Sequence, residues 1–161
     1  MLDLNMNVNA ADEDCSTPLL MACCYGHPEC VEALLAKGAD PSLSGKHGVT
    51  PVFFACQEGH ANCLSQLIAV GGDMNSGNTR DGGTPLYIAA SKNAVECVRM
   101  LVKGGAEIDK PRSDGSTPLM TALKKGHKES AILLVEGGAN IDAKLSNGKT
   151  PFETAMKLIT E

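Results

Sequence analysis

The dipeptide Thr-Pro recurs along the chain at a nearly constant spacing. Its five occurrences lie 33, 34, 33 and 33 residues apart. Gly or Cys stands two residues before each threonine, and in the four complete copies Gly or Asn follows at nine residues and Gly at twenty-one. A fixed period of this length is typical of a repeat architecture, in which each copy forms one small structural unit. The threonines are Thr17, Thr50, Thr84, Thr117 and Thr150.

The residues of each copy predict two short helices. Threonine is a favoured N-cap and proline is favoured at the first helical position, so Thr-Pro begins a helix. The Gly or Asn nine residues later can adopt the left-handed conformation that ends it. Apolar residues then return at helical spacing, as in Val31, Leu34 and Leu35, until the next glycine. Since neither helix can bury its apolar face alone, we predict that the copies stack into an all-α repeat solenoid.

Four segments carry the strongest pattern, at residues 16–27, 49–60, 83–94 and 116–127. They read STPLLMACCYGH, VTPVFFACQEGH, GTPLYIAASKNA and STPLMTALKKGH. They resemble the ankyrin repeat, and the resemblance covers nearly the whole chain. It implies stacked helix-turn-helix units joined by β-hairpin-like loops. The family usually has histidine three residues after the threonine, and its absence here predicts the loss of a side-chain hydrogen bond to that threonine.

The period also predicts the boundaries of the repeats within a single domain. We expect residues 1–11 to be the tail of a preceding repeat. Four complete repeats then follow at 12–44, 45–78, 79–111 and 112–144, with Asn78 or a neighbour as an extra residue. Residues 145–161 match the start of a fifth repeat. Because the last helix would leave Phe152, Met156 and Ile159 uncovered, we expect a piece of a longer chain, or a short chain whose ends fray or pair with another copy.

Composition and motifs exclude several classes of function. The formal charge of −5, from 14 basic and 19 acidic residues, argues against nucleic acid as the main partner. No apolar run approaches the roughly 18 residues of a membrane span, and no secretory leader is visible. The glycine-rich stretch 77–83 lacks the lysine of a phosphate loop. No catalytic constellation emerges, so we predict a non-enzymatic protein without a cofactor. We predict a cytoplasmic location, with the nucleus as the alternative.

The seven cysteines follow the repeat rather than a disulfide pattern. Their number is odd and no C-x-x-C motif occurs. Cys30, Cys63 and Cys97 stand thirteen residues after their threonines, and Cys23 and Cys56 stand six residues after theirs. Cysteine is small and is often buried as a free thiol. We therefore predict that these five occupy two small core positions, in a protein kept in a reducing compartment.

The cysteines near residue 24 allow two other interpretations. Cys24 falls at a variable position expected to be exposed, where it could react with oxidants. Cys23, Cys24, His27 and Cys30 are also close enough in sequence to suggest zinc. Because Cys23 and Cys30 recur in other copies without these neighbours, packing is favoured over metal binding. His27, His60 and His127 all follow the helix-ending glycine and are expected to be part of the repeat structure.

The ankyrin resemblance implies a non-enzymatic protein-protein interaction module, acting as a scaffold or adaptor. Direct inhibition of a partner enzyme such as a kinase is the alternative. The resemblance places the binding surface on the concave groove and the tips of the loops. Its predicted residues are Tyr25, Lys46, His47, Gln57, Glu58, Arg80, Lys92, Arg112, Lys124, Lys125 and Lys144.

Charge is uneven along this predicted surface. Residues 1–80 carry a net charge of −6, whereas residues 81–161 carry +1. We predict that the C-terminal part of the groove binds an acidic peptide or loop of a partner protein. Tyr25 and Phe53 are possible anchors on the other side, although Phe53 fits packing between helices better. Solvated helix ends are the alternative explanation of the lysines.

One loop carries a possible modification site. Leu67, Asp73, Met74 and Asn75 resemble the hairpin pattern that asparaginyl hydroxylases modify in ankyrin proteins. An unmodified turn asparagine is the simpler interpretation.

Overall fold

A computed structural model of the chain describes residues 7–142, together with Gly148, Thr150 and Glu153. The described part contains eight α-helices arranged in four consecutive pairs, and it contains no strand. A short 3₁₀ turn, Lys46–Gly48, lies in the loop between the first two pairs. The helices are α1 (Pro18–Tyr25), α2 (Pro28–Ala36), α3 (Pro51–Glu58), α4 (Ala61–Ala69), α5 (Pro85–Lys92), α6 (Val95–Lys103), α7 (Pro118–Lys124) and α8 (Lys128–Glu136).

The first helix of each pair begins at the predicted threonine. The side chains of Thr17, Thr50, Thr84 and Thr117 accept a hydrogen bond from the backbone N–H three residues later, at 3.1–3.3 Å. Each threonine therefore has a hydrogen-bond partner even though histidine is absent from that later position. The donor is a backbone N–H, which every residue found there supplies. A side-chain acceptor at this place satisfies one of the N–H groups that a helix leaves unpaired.

The helices stack in two layers. α1, α3, α5 and α7 contact one another in order along one layer, and α2, α4, α6 and α8 do so along the other. Between the layers lie leucines and valines that are almost fully buried, including Leu64, Leu67 and Leu101. Helices of seven to nine residues are unstable in isolation. Burial between neighbouring repeats therefore stabilises the fold, which confirms the predicted all-α repeat solenoid.

Successive loops are joined by single backbone hydrogen bonds. The N–H of Lys46 donates to the carbonyl oxygen of Asp14 (3.2 Å), and the N–H of Thr79 donates to that of His47 (2.8 Å). Ser113 donates to Asp81 in the same way, also at 2.8 Å. These bonds hold the loop tips in register along one edge of the stack. The tips are turns, so the predicted hairpin-like loops bend sharply but form no strand within residues 7–142.

The histidines after the first helices tie each repeat to the preceding one. A ring nitrogen of His60 lies 3.2 Å from the carbonyl oxygen of Cys24, and one of His127 lies 2.9 Å from that of Ala90. A carbonyl oxygen only accepts, so in both cases the ring N–H donates. His27, in the first described repeat, is exposed. The predicted structural role therefore depends on a preceding repeat that offers a carbonyl group.

Four of the five cysteines predicted to be buried lie in the core. Cys23, Cys56, Cys63 and Cys97 are at most 1% exposed, and burial raises the pKa of Cys23 to about 12. The prediction was wrong for Cys30, which is exposed. In later repeats, the helices of the preceding repeat cover the equivalent cysteine, as at Cys63. Among the described residues no helix precedes α1, so Cys30 has no such cover.

Cys24 is partly buried rather than exposed. Burial, and then the nearby charge of Glu58, raise the pKa of its thiol. Because the thiolate is the reactive form, these surroundings disfavour the predicted sensitivity to oxidants. Within the described ranges, no three His, Cys, Asp or Glu side chains are grouped so that they could hold a metal ion. Nor is any described helix long and apolar enough to cross a bilayer.

Candidate functional site

A cavity of about 670 Å³ opens on the first-helix layer, where α3, α5 and α7 meet the loops that precede α5 and α7. Its floor is apolar and comes from the helices. Its walls are polar and come from the loops at one end and from the last turns of α5 and α7 at the other. We call this cavity the groove. Its lining residues are Phe53, Asn78, Asp81, Gly83, Tyr87, Ile88, Ser91, Arg112, Asp114, Ser116, Met120, Thr121, Lys124 and Lys125.

Arg112 lies at the loop end of the groove, where Asp81 and Tyr87 hold its guanidinium and Asp114 lies 3.8 Å away. Its Nη2 donates to Oδ2 of Asp81 at 2.6 Å, and its Nη1 donates to the hydroxyl of Tyr87 at 3.0 Å. The guanidinium carbon also lies 5.0 Å from the centre of the Tyr87 ring, within the range of a cation-π contact. The hydrogen bond to Tyr87, with the charges around it, raises the pKa of Arg112. The predicted binding residue Arg112 is thus already engaged within the chain.

Asp81 is fixed by the turn that contains it. The N–H of Gly83 and the side-chain amide of Asn78 both donate to Oδ1 of Asp81, each at 2.9 Å. Partial burial acts to raise the pKa of Asp81, but these hydrogen bonds and the Arg112 charge outweigh it and lower the pKa. Asn78, named from the sequence with its neighbours as the extra residue of the repeat, therefore shapes the turn that holds the Asp81–Arg112 ion pair.

The two lysines at the other end of the groove differ in their contacts. The ammonium group of Lys125 donates to the carbonyl oxygen and to the hydroxyl of Ser91, at 3.0 and 2.7 Å. Lys125 therefore connects the ends of α7 and α5. Lys124 is exposed and has no hydrogen-bond or ion-pair partner among the described residues. Of the two, Lys124 is the cation free to meet an anionic ligand.

Comparison with protein families identifies this arrangement of helix pairs. A family model described as ankyrin repeats (3 copies) matches residues 19–112 and 52–145. These matches overlap and together span most of the chain. The chain belongs to the ankyrin-repeat family. No curated protein matches the sequence.

Most of the other residues predicted on the ankyrin binding surface lie outside the groove, and several pair with a neighbour. Lys46 pairs with Asp14 at 3.3 Å, and Arg80 donates to the ring of His47 at 2.9 Å. The amide of Gln57 donates to Glu58 at 2.7 Å. Two more of these residues, Tyr25 and Lys92, are exposed and do not line the groove, and Lys144 lies outside the described residues.

Of the aromatic and apolar residues that line the groove, Phe53 was named from the sequence, but Tyr87, Ile88 and Met120 were missed. Tyr87 and Met120 stand three residues after their threonines, where ankyrin repeats usually have histidine. This departure was visible in the sequence, but it was interpreted only as a lost hydrogen bond. Phe53, at the same position, is 5% exposed and packs against the core as expected. The groove could therefore have been located from the large apolar or aromatic residue that stands three residues after the threonine in these repeats.

The possible hydroxylation site has a structural role. The side-chain oxygen of Asn75 accepts a hydrogen bond from the backbone N–H of Glu107 at 2.8 Å. Asn9 and Asp109 accept equivalent bonds from Asp40 and Asn140. Asn75 thus belongs to a recurring contact between successive loops. The unmodified turn asparagine stays the simpler interpretation, with hydroxylation as the alternative.

We expect the contribution of the Asp81–Arg112 pair to stability to disappear at low pH. The lowered pKa of Asp81 means that its ionised form stabilises the fold above the unfolded-state pKa of about 4. That stabilisation is lost as the pH falls through the lower folded-state pKa. A double-mutant cycle of Asp81→Asn and Arg112→Gln, followed by urea unfolding, measures the coupling. It should be favourable near pH 7 and weaken progressively as the pH falls below the unfolded-state pKa of about 4. Coupling that is unchanged across this acid titration would contradict this account.

Proposed function

We propose that this ankyrin-repeat chain is a non-enzymatic scaffold or adaptor module that binds an acidic segment of a partner protein in the groove. Ankyrin repeats are generally protein-protein interaction modules. The observation that carries the proposal is the exposed Lys124, which has no partner among the described residues, beside Lys125 at one end of a groove with an apolar floor. A surface of this kind suits a carboxylate side chain next to an apolar one.

The size and the charges of the groove support the same ligand. A volume of about 670 Å³ falls in the range of small binding clefts, and it suits a few side chains of a segment better than a whole domain. Charges at an exposed rim increase the rate and the selectivity of association more than its affinity. We therefore expect binding to be moderate and sensitive to salt, because exposed charges are screened at physiological ionic strength.

The proposal is tested with two fluorescent peptides that differ only in charge. One is an extended segment containing Glu and Leu, and the other has Gln in place of each Glu. In anisotropy titrations at low salt, the unmodified chain should bind the Glu peptide more tightly. The Lys124→Glu variant should weaken that binding by about fivefold to tenfold, because it exchanges an exposed attraction for a repulsion.

A matched control separates the groove from net charge. Lys103 is exposed at the end of α6, in the other helix layer, so Lys103→Glu makes the same change in charge away from the groove. Its effect should be less than about twofold, consistent with the small effect of distant exposed charges. Two results would exclude the groove as the site for an acidic segment. One is an equal loss of affinity for the Glu peptide in the two variants. The other is a Lys124→Glu variant that still binds the Glu peptide more tightly than the Gln peptide by the original factor.

A further inference from the structure

A second depression lies on the other layer of the stack, between α6 and α8. It has a volume of about 340 Å³ and shares no residue with the groove. We call it the outer depression. Its lining residues are Val95, Arg99, Glu129, Ile132, Leu133 and Glu136. Three of these side chains are aliphatic and three are charged, so this surface offers a contact to an apolar group next to contacts for ions.

The aliphatic part of the outer depression depends on Ile132. Its side chain is 56% exposed, and Val95 and Leu133 are partly exposed beside it. At the equivalent position, fifteen residues after the threonine, the other three repeats have Glu32, Ser65 and Arg99. Glu32 and Ser65 are exposed as well, although a described repeat follows each of them. The exposure of Ile132 therefore follows from its position in the repeat, and only the fourth described repeat places an apolar residue there.

Two exposed carboxylates flank the aliphatic residues along α8. Glu129 and Glu136 stand seven residues apart, a spacing that puts them on one face of the helix with Ile132 between them. Neither glutamate has a hydrogen-bond or ion-pair partner among the described residues. The cation of the lining, Arg99, is already engaged, because its Nε donates to Oε2 of Glu96 at 3.2 Å. The charge that the outer depression offers to a ligand is therefore negative.

These charges favour a basic segment as the occupant over a second copy of the chain. Charges of opposite sign across an interface attract, whereas like charges placed together cost affinity. Two copies joined through this face would bring their carboxylates together. A basic segment instead places cations beside Glu129 and Glu136, while an aliphatic side chain covers Ile132. Lys103 and Lys128, on the same two helices, do not line the outer depression.

We propose that the outer depression docks a short basic segment of a partner protein. One aliphatic side chain of the segment lies against Val95, Ile132 and Leu133, and basic side chains lie beside Glu129 and Glu136. This ligand is opposite in charge to the one proposed for the groove, and the two surfaces lie in different helix layers. A chain with both sites would join an acidic and a basic partner, and either site can fail its test without the other. Binding should be weak and should decrease with added salt, because its ion pairs are exposed.

Peptide titrations followed by NMR test the proposal. The probes are end-capped Lys-Lys-Leu-Lys-Lys, Lys-Lys-Ser-Lys-Lys and Gln-Gln-Leu-Gln-Gln, and the methyl signals of Ile132 and Leu133 report their binding to the labelled chain. At low salt the first peptide should bind about fivefold more tightly than the second, because it buries an aliphatic side chain. It should exceed the third by about fivefold, because exposed ion pairs form. Ile132→Ser introduces the residue type that the second repeat has as Ser65, and it should remove the advantage of leucine over serine.

Two matched double variants separate this site from net charge. One combines Glu129→Gln with Glu136→Gln, and the other combines Glu29→Gln with Glu32→Gln, two exposed carboxylates of α2. The first should reduce the preference for the lysine peptide over the glutamine peptide by about threefold or more, and the second by less than about twofold. Equal reductions, or a leucine advantage that survives Ile132→Ser, would overturn the proposal. So would a dimeric chain that Ile132→Ser makes monomeric, since the occupant would then be a second copy.

Discussion

Replacing Leu101 with alanine is expected to lower the free energy of unfolding by about 3 kcal/mol, within the 2–5 kcal/mol typical of buried leucines. Leu101 is fully buried in α6, between the helices of the second and fourth described repeats. The cost combines the lost transfer of its side chain from water with the cavity left between layers that cannot fully collapse. Urea unfolding followed by far-ultraviolet circular dichroism measures the change.

The control is Ile132→Ala, a similar truncation in α8 at a side chain that is 56% exposed. A substitution at such a surface position should change stability by less than about 0.5 kcal/mol. Solenoid repeats are stabilised largely by their nearest neighbours. The urea unfolding transition of the Leu101 variant should therefore also broaden if the repeats before and after α6 unfold independently of each other. Comparable losses in the two variants would contradict the described packing.

Replacing Gly26 with alanine is expected to destabilise the chain by about 2 kcal/mol. Gly26 has a φ of +70°, a left-handed conformation that costs a residue with a Cβ atom about 1 kcal/mol. A Cβ atom placed there would lie 2.5 Å from the ring of His60, so the ring would have to move. That movement would break the hydrogen bond from His60 to the carbonyl oxygen of Cys24, at a further cost of about 1 kcal/mol.

Gly38→Ala separates the two contributions. Gly38 has a similar φ of +84°, but nothing lies within 4 Å of the Cβ position. It should therefore show only the backbone cost of about 1 kcal/mol. Thermal or urea unfolding of both variants gives the difference between them. If that difference is absent, the contact between His60 and the first repeat contributes nothing measurable to stability.

The ends of the helices were predictable because their causes are local. The threonine that caps a helix and the glycine or asparagine that ends it act on backbone groups within a few residues, as at Thr84 and Asn93. These capping residues recur every 33 or 34 residues. Copies of the same unit pack against their neighbours in equivalent ways. Two layers of helices, with Leu67 and Leu101 between them, follow from that repetition.

The candidate site was only partly predictable. Lys124 and Lys125 were expected on the groove from their repeat position, but their different roles depend on Ser91, which is more than thirty residues away in sequence. The engagement of Arg112 by Asp81 likewise joins loops of two repeats. Such contacts depend on side-chain lengths and rotamers in the folded stack, and no periodic pattern contains that information.

By itself, the sequence determined the repeat family, the number and order of helices in residues 7–142, and the burial of four of the five cysteines predicted to lie in the core. These properties arise from local backbone preferences and from apolar spacing, both of which repeat with the chain. The tertiary structure alone decided that Cys30 is exposed while Cys63, at the equivalent position, is buried. It also decided that Lys125 is bound to Ser91 while Lys124 has no partner among the described residues. The cysteines differ because only Cys63 has a described preceding repeat to cover it, and the lysines differ because only Lys125 contacts Ser91.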